Sequence, residues 1–115
     1  MCQKAVGSPF AALAAVPVAD LEWVRGSPKL FQSSSIATRG FCGACGTPLT
    51  YQGLDRDEMD VTICSLDDPN AAPPVKQHGM EGCLSWVEGV ARLPGSRTET
   101  DYDGLVSHQH PDRAG

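Results

Sequence analysis

The chain has 115 residues, of which 41% are hydrophobic, and carries a formal net charge of -5 at pH 7. This length predicts one domain with a modest core, and the negative charge disfavours a nucleic-acid partner, because phosphate binding needs clustered Lys and Arg. No stretch resembles a membrane span or a signal peptide, so we expect a cytoplasmic protein.

The first part of the chain predicts one strand and one turn. Residues 10–18 are apolar and rich in small side chains. Pro9 and Pro17 bracket them too closely for a long helix, so a buried strand is the better prediction. The following residues, as far as 26, are typical of a turn or a short helical turn that leads into a strand.

The middle of the chain predicts a β-hairpin and two further strands. Residues 29–41 contain two strand-like parts around a Ser-rich turn. A glycine-rich loop follows, and residues 49–52 leave it as a strand. Residues 59–64 alternate apolar and polar side chains and are rich in β-branched residues, so they form the clearest strand of the sequence.

The segment after residue 64 is less regular. Residues 65–74 predict a loop, with a single helical turn at 68–71. Residues 75–80 predict another strand, and residues 83–87 form a short apolar segment.

Short strands separated by Gly, Pro and Asp turns predict a mainly β fold built from small antiparallel sheets. Residues 1–95 form the predicted domain. Residues 96–115 form a polar C-terminal tail with few apolar side chains to anchor it.

Cys42 and Cys45 form a Cys-x-x-Cys motif with Gly43 inside it and Gly46 after it. Such a loop can direct both sulfurs at one zinc ion, and a structural zinc site normally has four ligands in a tetrahedron. A redox-active dithiol is the first alternative, but that motif usually begins a helix after a buried strand, whereas a strand follows here. Two cysteines without a ligand are the second. Zinc is the favoured interpretation, and this motif supplies half of the site.

The chain contains five cysteines, and this odd number together with the absence of an export signal indicates thiols and metal ligands rather than a disulfide framework. Cys64 and Cys83 lie in apolar stretches, where a cysteine is more often a small buried residue than a ligand. A symmetric partner could donate further ligands, so a metal-bridged homodimer is a possible arrangement.

The histidines and the paired aspartates have simpler explanations than catalysis. His78 could bind zinc or transfer a proton, but a single histidine is more often a surface residue. His108 and His110 lie in the polar tail. The aspartates at 67 and 68 precede a Pro-Asn pair, so turn formation and helix capping explain them better than acid–base chemistry. Trp23 and Trp86 are interpreted as aromatics of the core or its rim.

Several segments together resemble one known family. They are CQKAVGSPF at 2–10, GSPKLF at 26–31, RGFCGACGTPL at 39–49, SLDDP at 65–69 and SWV at 85–87. In this order they resemble the glutathione-dependent formaldehyde-activating family, which also includes centromere protein V. The resemblance extends from Cys2 to about Pro94, and the segment around Cys42 is its most specific part.

The resemblance implies a β-tent type fold with two zinc sites. The structural zinc of the family is held by an early Cys-x-Cys pair and a later Cys-x-x-Cys, which matches Cys42 and Cys45. A Cys-His-Cys-x-x-Cys run holds the catalytic zinc, and its final cysteine matches Cys2. The implied activity is the condensation of glutathione with formaldehyde to S-hydroxymethylglutathione, which is classed as a carbon–sulfur lyase reaction in reverse.

The sequence departs from the family pattern at its beginning. The early Cys-x-Cys and the first two cysteines of the second motif would precede residue 1, which leaves Cys2 alone at the second site. Two hypotheses follow: a carbon–sulfur lyase that acts on an adduct of glutathione or another small thiol, and a non-catalytic β module stapled by zinc.

Overall fold

The computed structural model describes residues 1–98, 104 and 106–109. The chain divides into two compact units, Met1–Leu84 and Ser85–Gly115. The first unit contains a five-stranded antiparallel sheet, whose strands are β1 (Leu13–Pro17), β2 (Lys29–Ser34), β3 (Ala37–Phe41), β4 (Pro48–Gly53) and β5 (Glu58–Thr62).

The order of the strands across the sheet is β1-β5-β4-β3-β2. Strands β2 to β5 follow one another as a meander of hairpins, which short connections with turn residues favour. Strand β1 instead pairs with β5, so the first and last of the five strands are neighbours in the sheet although they are distant in sequence. The register shifts between Gln32 and Ser34 in β2, and again between Gly40 and Phe41 in β3.

The register assigns side chains to the two faces of the sheet, because directly opposed residues in antiparallel strands point the same way. One row runs through Phe31, Arg39, Tyr51 and Asp60, and we call the face that carries it the site face. The neighbouring row, on the opposite face, runs through Leu30, Gly40, Thr50 and Val61.

The hydrophobic interior is small. Among the described residues, the buried hydrophobic ones are Ala37 and Ile63, and Thr50 is the buried polar one. Larger side chains on the sheet remain accessible, with Leu30 at 68% and Phe31 at 64% exposure. Both faces of the sheet therefore present apolar surface.

Helices in this structure are short. The α-helix α1 (Cys2–Val6) ends at Gly7, whose φ of 63° is the left-handed conformation that glycine adopts without a Cβ clash. The Gln3 amide of this helix donates a 2.8 Å hydrogen bond to the Gly82 carbonyl. Among the described residues, five 3-10 segments complete the elements: Val18–Asp20, Ile63–Ser65, Pro69–Ala71, Met80–Gly82 and, in the second unit, Val87–Arg92.

The mainly β prediction is confirmed, and the hairpin at 29–41 and the strands near 49–52 and 59–64 are present. The structure has one sheet in its described part, where several small ones were predicted. The predicted strand at 75–80 was wrong, because that segment is irregular and Gly79 turns it with a φ of 68°. Helix α1 had no counterpart in the prediction, and the boundary at residue 95 stays a prediction.

Cys64 and Cys83 were predicted as buried residues, and this was wrong, because both are exposed. Strand β5 ends at Thr62, and the chain then turns into a 3-10 segment in which Ile63 takes the buried position. Cys83 follows the 3-10 turn at Met80–Gly82. Side chains alternate between the two faces of a sheet only within a strand. Both cysteines lie outside the strands, and neither thiol faces the interior.

No helix in the described ranges is both long and apolar enough to cross a bilayer.

The contact between β3 and β4 predicts a large effect of Gly40→Ala. A Cβ at this position would overlap the Thr50 hydroxyl oxygen and approach Pro28 Cβ to 3.3 Å. Thr50 is buried and β-branched, so it rotates away with difficulty. We expect urea denaturation to show a loss of about 1–3 kcal/mol in the free energy of unfolding.

Gly82→Ala is the matched control, because a Cβ at Gly82 meets nothing within 4 Å. It should unfold close to the wild-type denaturant concentration. Equal stabilities of the two variants would contradict the close approach of β3 and β4 at Gly40.

Candidate functional site

The Cys-x-x-Cys motif forms the connection between β3 and β4. Cys42 directly follows β3, and its backbone N–H donates a 2.9 Å hydrogen bond to the Thr47 carbonyl. The Gly46 N–H donates to the Cys42 carbonyl at 2.8 Å. Gly46 has a φ of 82°, a conformation that a residue with a Cβ adopts only with strain. These features close the loop so that residues 42 and 45 lie on the same side of it.

The two thiols of the loop are close enough to interact. The Cys45 sulfur lies 3.0 Å from the Thr47 hydroxyl oxygen. Hydrogen bonds from the Thr47 side chain, from the Thr47 backbone and from the Cys42 side chain lower the pKa of the Cys45 thiol. Cys42 is half-buried, whereas Cys45 is exposed. The loop thus presents a pair of sulfurs, one of them biased towards the thiolate form.

Two sulfurs are half of the ligand set that a tetrahedral structural zinc requires. Within residues 1–98, 104 and 106–109, no group of three or more His, Cys, Asp or Glu side chains is arranged to hold a metal ion. The described residues alone therefore do not fit a complete zinc site, although the loop supplies a pair of donors of the right chemistry.

Cys2 lies at the beginning of α1 and contacts the site face instead. The Arg39 Nη2 group donates a 3.2 Å hydrogen bond to the Cys2 sulfur. The structure does not bring Cys2 into one metal-binding group with Cys42 and Cys45. The three predicted ligands thus occupy two separate places, the loop and the site face.

Arg39 is the central residue of the site face, and the sequence analysis missed it. Its guanidinium carbon lies 4.8 Å from the centre of the Tyr51 ring, and its Nε donates a 3.2 Å hydrogen bond to the Ser33 hydroxyl. Arg39 is half-buried. The signal available in the sequence was the arginine itself, which lies between Thr38 and Gly40 in a predicted strand. The signal is weak, because a charged side chain in a strand usually lies on a solvated face.

A cavity of about 250 Å³ opens next to Arg39. Helix α1 contributes part of its wall, and the site face contributes most of the rest. The lining residues are Ala5, Val6, Leu13, Phe31, Ser33, Arg39, Gly40, Phe41, Gly46, Pro48, Thr50, Tyr51 and Thr62. Most of the wall is apolar, and Arg39 provides its positive charge.

The remaining candidate residues take structural or surface positions. His78 and His108 are exposed, and His110 lies outside the described residues. Asp68 caps the 3-10 turn that follows it, accepting a 3.0 Å hydrogen bond from the Asn70 N–H, which confirms the capping interpretation. The two tryptophans are 42% and 56% exposed, so neither is a core residue.

Comparison with protein families found a match to the family described as glutathione-dependent formaldehyde-activating enzyme over residues 1–80. No curated protein and no solved structure matched the chain. The matched region contains both the loop with Cys42 and Cys45 and the cavity on the site face.

The environment of Cys45 predicts its reactivity in metal-free protein. Because its pKa is lowered, a larger fraction of this thiol is ionised near neutral pH, and the thiolate is the form that reacts with iodoacetamide. Thr47→Val removes the hydroxyl hydrogen bond, so the midpoint of the pH–rate profile should move to higher pH. Mass spectrometry of the alkylated peptides measures this rate for each cysteine separately.

Thr47→Ser keeps the hydroxyl and should keep the wild-type profile of Cys45. An unchanged profile in Thr47→Val would show that the Thr47 hydroxyl does not stabilise the thiolate.

Proposed function

Because the chain belongs to the family of glutathione-dependent formaldehyde-activating enzymes, we propose that it is a zinc-binding protein of carbon–sulfur lyase type. Its substrate would be the adduct of formaldehyde with glutathione or another small thiol. The observation that carries this proposal is the position of Cys2. This residue, which the resemblance matches to a ligand of the catalytic zinc, is hydrogen-bonded to Arg39 in the wall of a cavity.

The proposed reaction joins a thiol and an aldehyde without any change of oxidation state. The sulfur loses its proton and forms a bond to the formaldehyde carbon. The π electron pair of the carbonyl moves to the oxygen, which takes up a proton to give the hydroxymethyl thioether. The lyase direction reverses each of these changes. A largely apolar cavity suits this chemistry because it limits the water that competes for formaldehyde.

Zinc binding by Cys42 and Cys45 is the second part of the proposal. The two converging sulfurs are the support for it, and the other two ligands would come from the same loop of a second copy of the chain. The exposure of Cys45 makes such sharing sterically simple. A zinc ion held by four thiolates would then join two sheets and add to their stability.

A non-catalytic β module stapled by zinc is the alternative function. The separation of Cys2 from the paired thiols favours it, because neither place in the described part of the chain gathers the donors of a full site. Binding of zinc without any acceleration of adduct formation would select this alternative.

All five cysteines are free thiols in the structure. A reducing compartment keeps thiols in this state. The cytoplasm therefore fits the proposed chemistry, which depends on unoxidised sulfur.

Metal analysis of the purified protein tests the zinc proposal. We expect one zinc per two chains, together with a dimer by light scattering. Cys42→Ser and Cys45→Ser should each lose the metal and the dimer. Cys64→Ser and Cys83→Ser are matched controls that should retain both, because these thiols are exposed and lie outside the loop.

Wild-type protein that stays free of zinc after purification from zinc-supplemented cells would contradict this part of the proposal. One zinc per monomeric chain would keep zinc but exclude the shared site.

The reaction is tested by NMR with ¹³C-labelled formaldehyde and glutathione. Wild-type protein should accelerate exchange between the free thiol and S-hydroxymethylglutathione, and Cys2→Ser should reduce the acceleration roughly tenfold or more. Cys83→Ser should leave it unchanged. A wild-type rate equal to the rate without protein would contradict the lyase proposal and leave the alternative.

A further inference from the structure

We propose that Arg39 binds the carboxylate of a small ligand in the cavity of the site face, so that the ligand carries a carboxylate on a short apolar body. The identification of this ligand as a thiol rests on the proposed function. The new part of the inference is that the ligand carries a carboxylate and that Arg39 recognises it.

The first argument is that Arg39 forms no ion pair with a carboxylate in the part of the chain that the structure describes. The ion pair formed among the described residues joins Arg56 to Glu58, 3.6 Å apart. Asp60 lies in the same row of the site face, but two strands away, with Tyr51 between them. Adjacent strands are about 4.8 Å apart, so this separation is roughly 10 Å at the backbone. A half-buried cation that no described carboxylate neutralises favours binding of an anion.

The second argument is that the guanidinium is held with its outer edge available. The guanidinium carbon lies over the Tyr51 ring, 4.8 Å from the ring centre, while Nε donates to Ser33 and Nη2 donates one hydrogen to Cys2. No hydrogen bond in the described part of the structure uses Nη1. Both hydrogens of Nη1 and the second hydrogen of Nη2 are therefore available. One hydrogen from each of these two nitrogens forms a fork at the outer end of the guanidinium. A planar fork of this kind matches the two oxygens of a carboxylate, and the contacts to Tyr51 and Ser33 reduce the entropy lost on binding.

The third argument concerns which anion fits. A phosphate carries up to two negative charges, whereas a carboxylate carries one, and Arg39 is the one charged side chain among the described lining residues of the cavity. Phe31 and Leu13 provide apolar surface for a short carbon chain. A volume of about 250 Å³ limits that chain to a few atoms at this end of the ligand. The cavity thus fits a carboxylate better than a phosphate.

The net charge of the chain makes anion binding at Arg39 easier to distinguish from non-specific anion binding. At -5, the protein does not attract anions to its surface in general. Binding of a simple anion therefore reports a specific site.

The experiment is an NMR titration of the full chain with propionate, 3-mercaptopropionate, the neutral 3-mercapto-1-propanol and inorganic phosphate. We expect 3-mercaptopropionate to bind about tenfold more tightly than its neutral counterpart, as expected for a hydrogen bond between charged groups. Propionate should shift the Arg39 Nε–H and Tyr51 ring signals even without a thiol. Arg39→Gln should abolish the preference for the carboxylate, and Arg39→Lys should reduce it.

Arg56→Gln is the matched control, because it removes an exposed arginine that lies outside the cavity lining, and it should keep the wild-type preference. A well-dispersed spectrum of each variant verifies that it is folded. Equal affinities for the acid and the alcohol in wild-type protein would overturn the proposal, as would a preference that survives in Arg39→Gln. Tighter binding of phosphate than of propionate would overturn the assignment to a carboxylate.

The propionate arm separates this inference from the proposed function. Propionate has no thiol and undergoes no reaction with formaldehyde, so its Arg39-dependent binding stands even if no adduct chemistry is found. Adduct chemistry that proceeds equally with the acid and the alcohol would keep the proposed function and remove Arg39 from substrate recognition.

Discussion

The pairing of β3 with β4 is the interaction on which the rest of the structure depends. One register determines two things: the loop between these strands carries Cys42 and Cys45, and the row that crosses them sets Arg39 beside Tyr51. Gly40 makes this register possible, because its missing side chain leaves room for Thr50 on the opposite face. The candidate metal loop and the candidate ligand cavity are therefore two products of a single hairpin, at its end and on its face.

Full burial of hydrophobic side chains contributes little to this fold. Buried hydrophobic residues in the described part of the chain are few and include nothing larger than Ile63, so the apolar term that normally dominates folding is small. The hydrogen bonds of the sheet satisfy the backbone but do not replace that term. A metal or a second copy at the Cys loop would, under the proposed function, supply a large share of the total stability.

Local signals in the sequence predicted the parts of the fold that depend on neighbouring residues. The hairpin, the strand after the loop and the capping role of Asp68 follow from alternation and turn residues. The pairing of β1 with β5 joins distant segments and has no local signal, which is why several small sheets were expected. Arg39 was missed for a related reason: its partners Cys2 and Tyr51 come from other elements, and only the register reveals them. The sequence located the paired thiols, while the ligand cavity required the structure.

The outer strands of the sheet have a consequence for how copies of this chain can meet. On one side β1 ends in Pro17, which has no N–H to offer an incoming strand, and on the other β2 is interrupted by its shift in register between Gln32 and Ser34. Both features hinder the addition of a further strand, which is the usual first step towards continuous intermolecular sheets and fibrils. Growth along the hydrogen-bonding direction is thus discouraged, although each face of the sheet exposes apolar side chains.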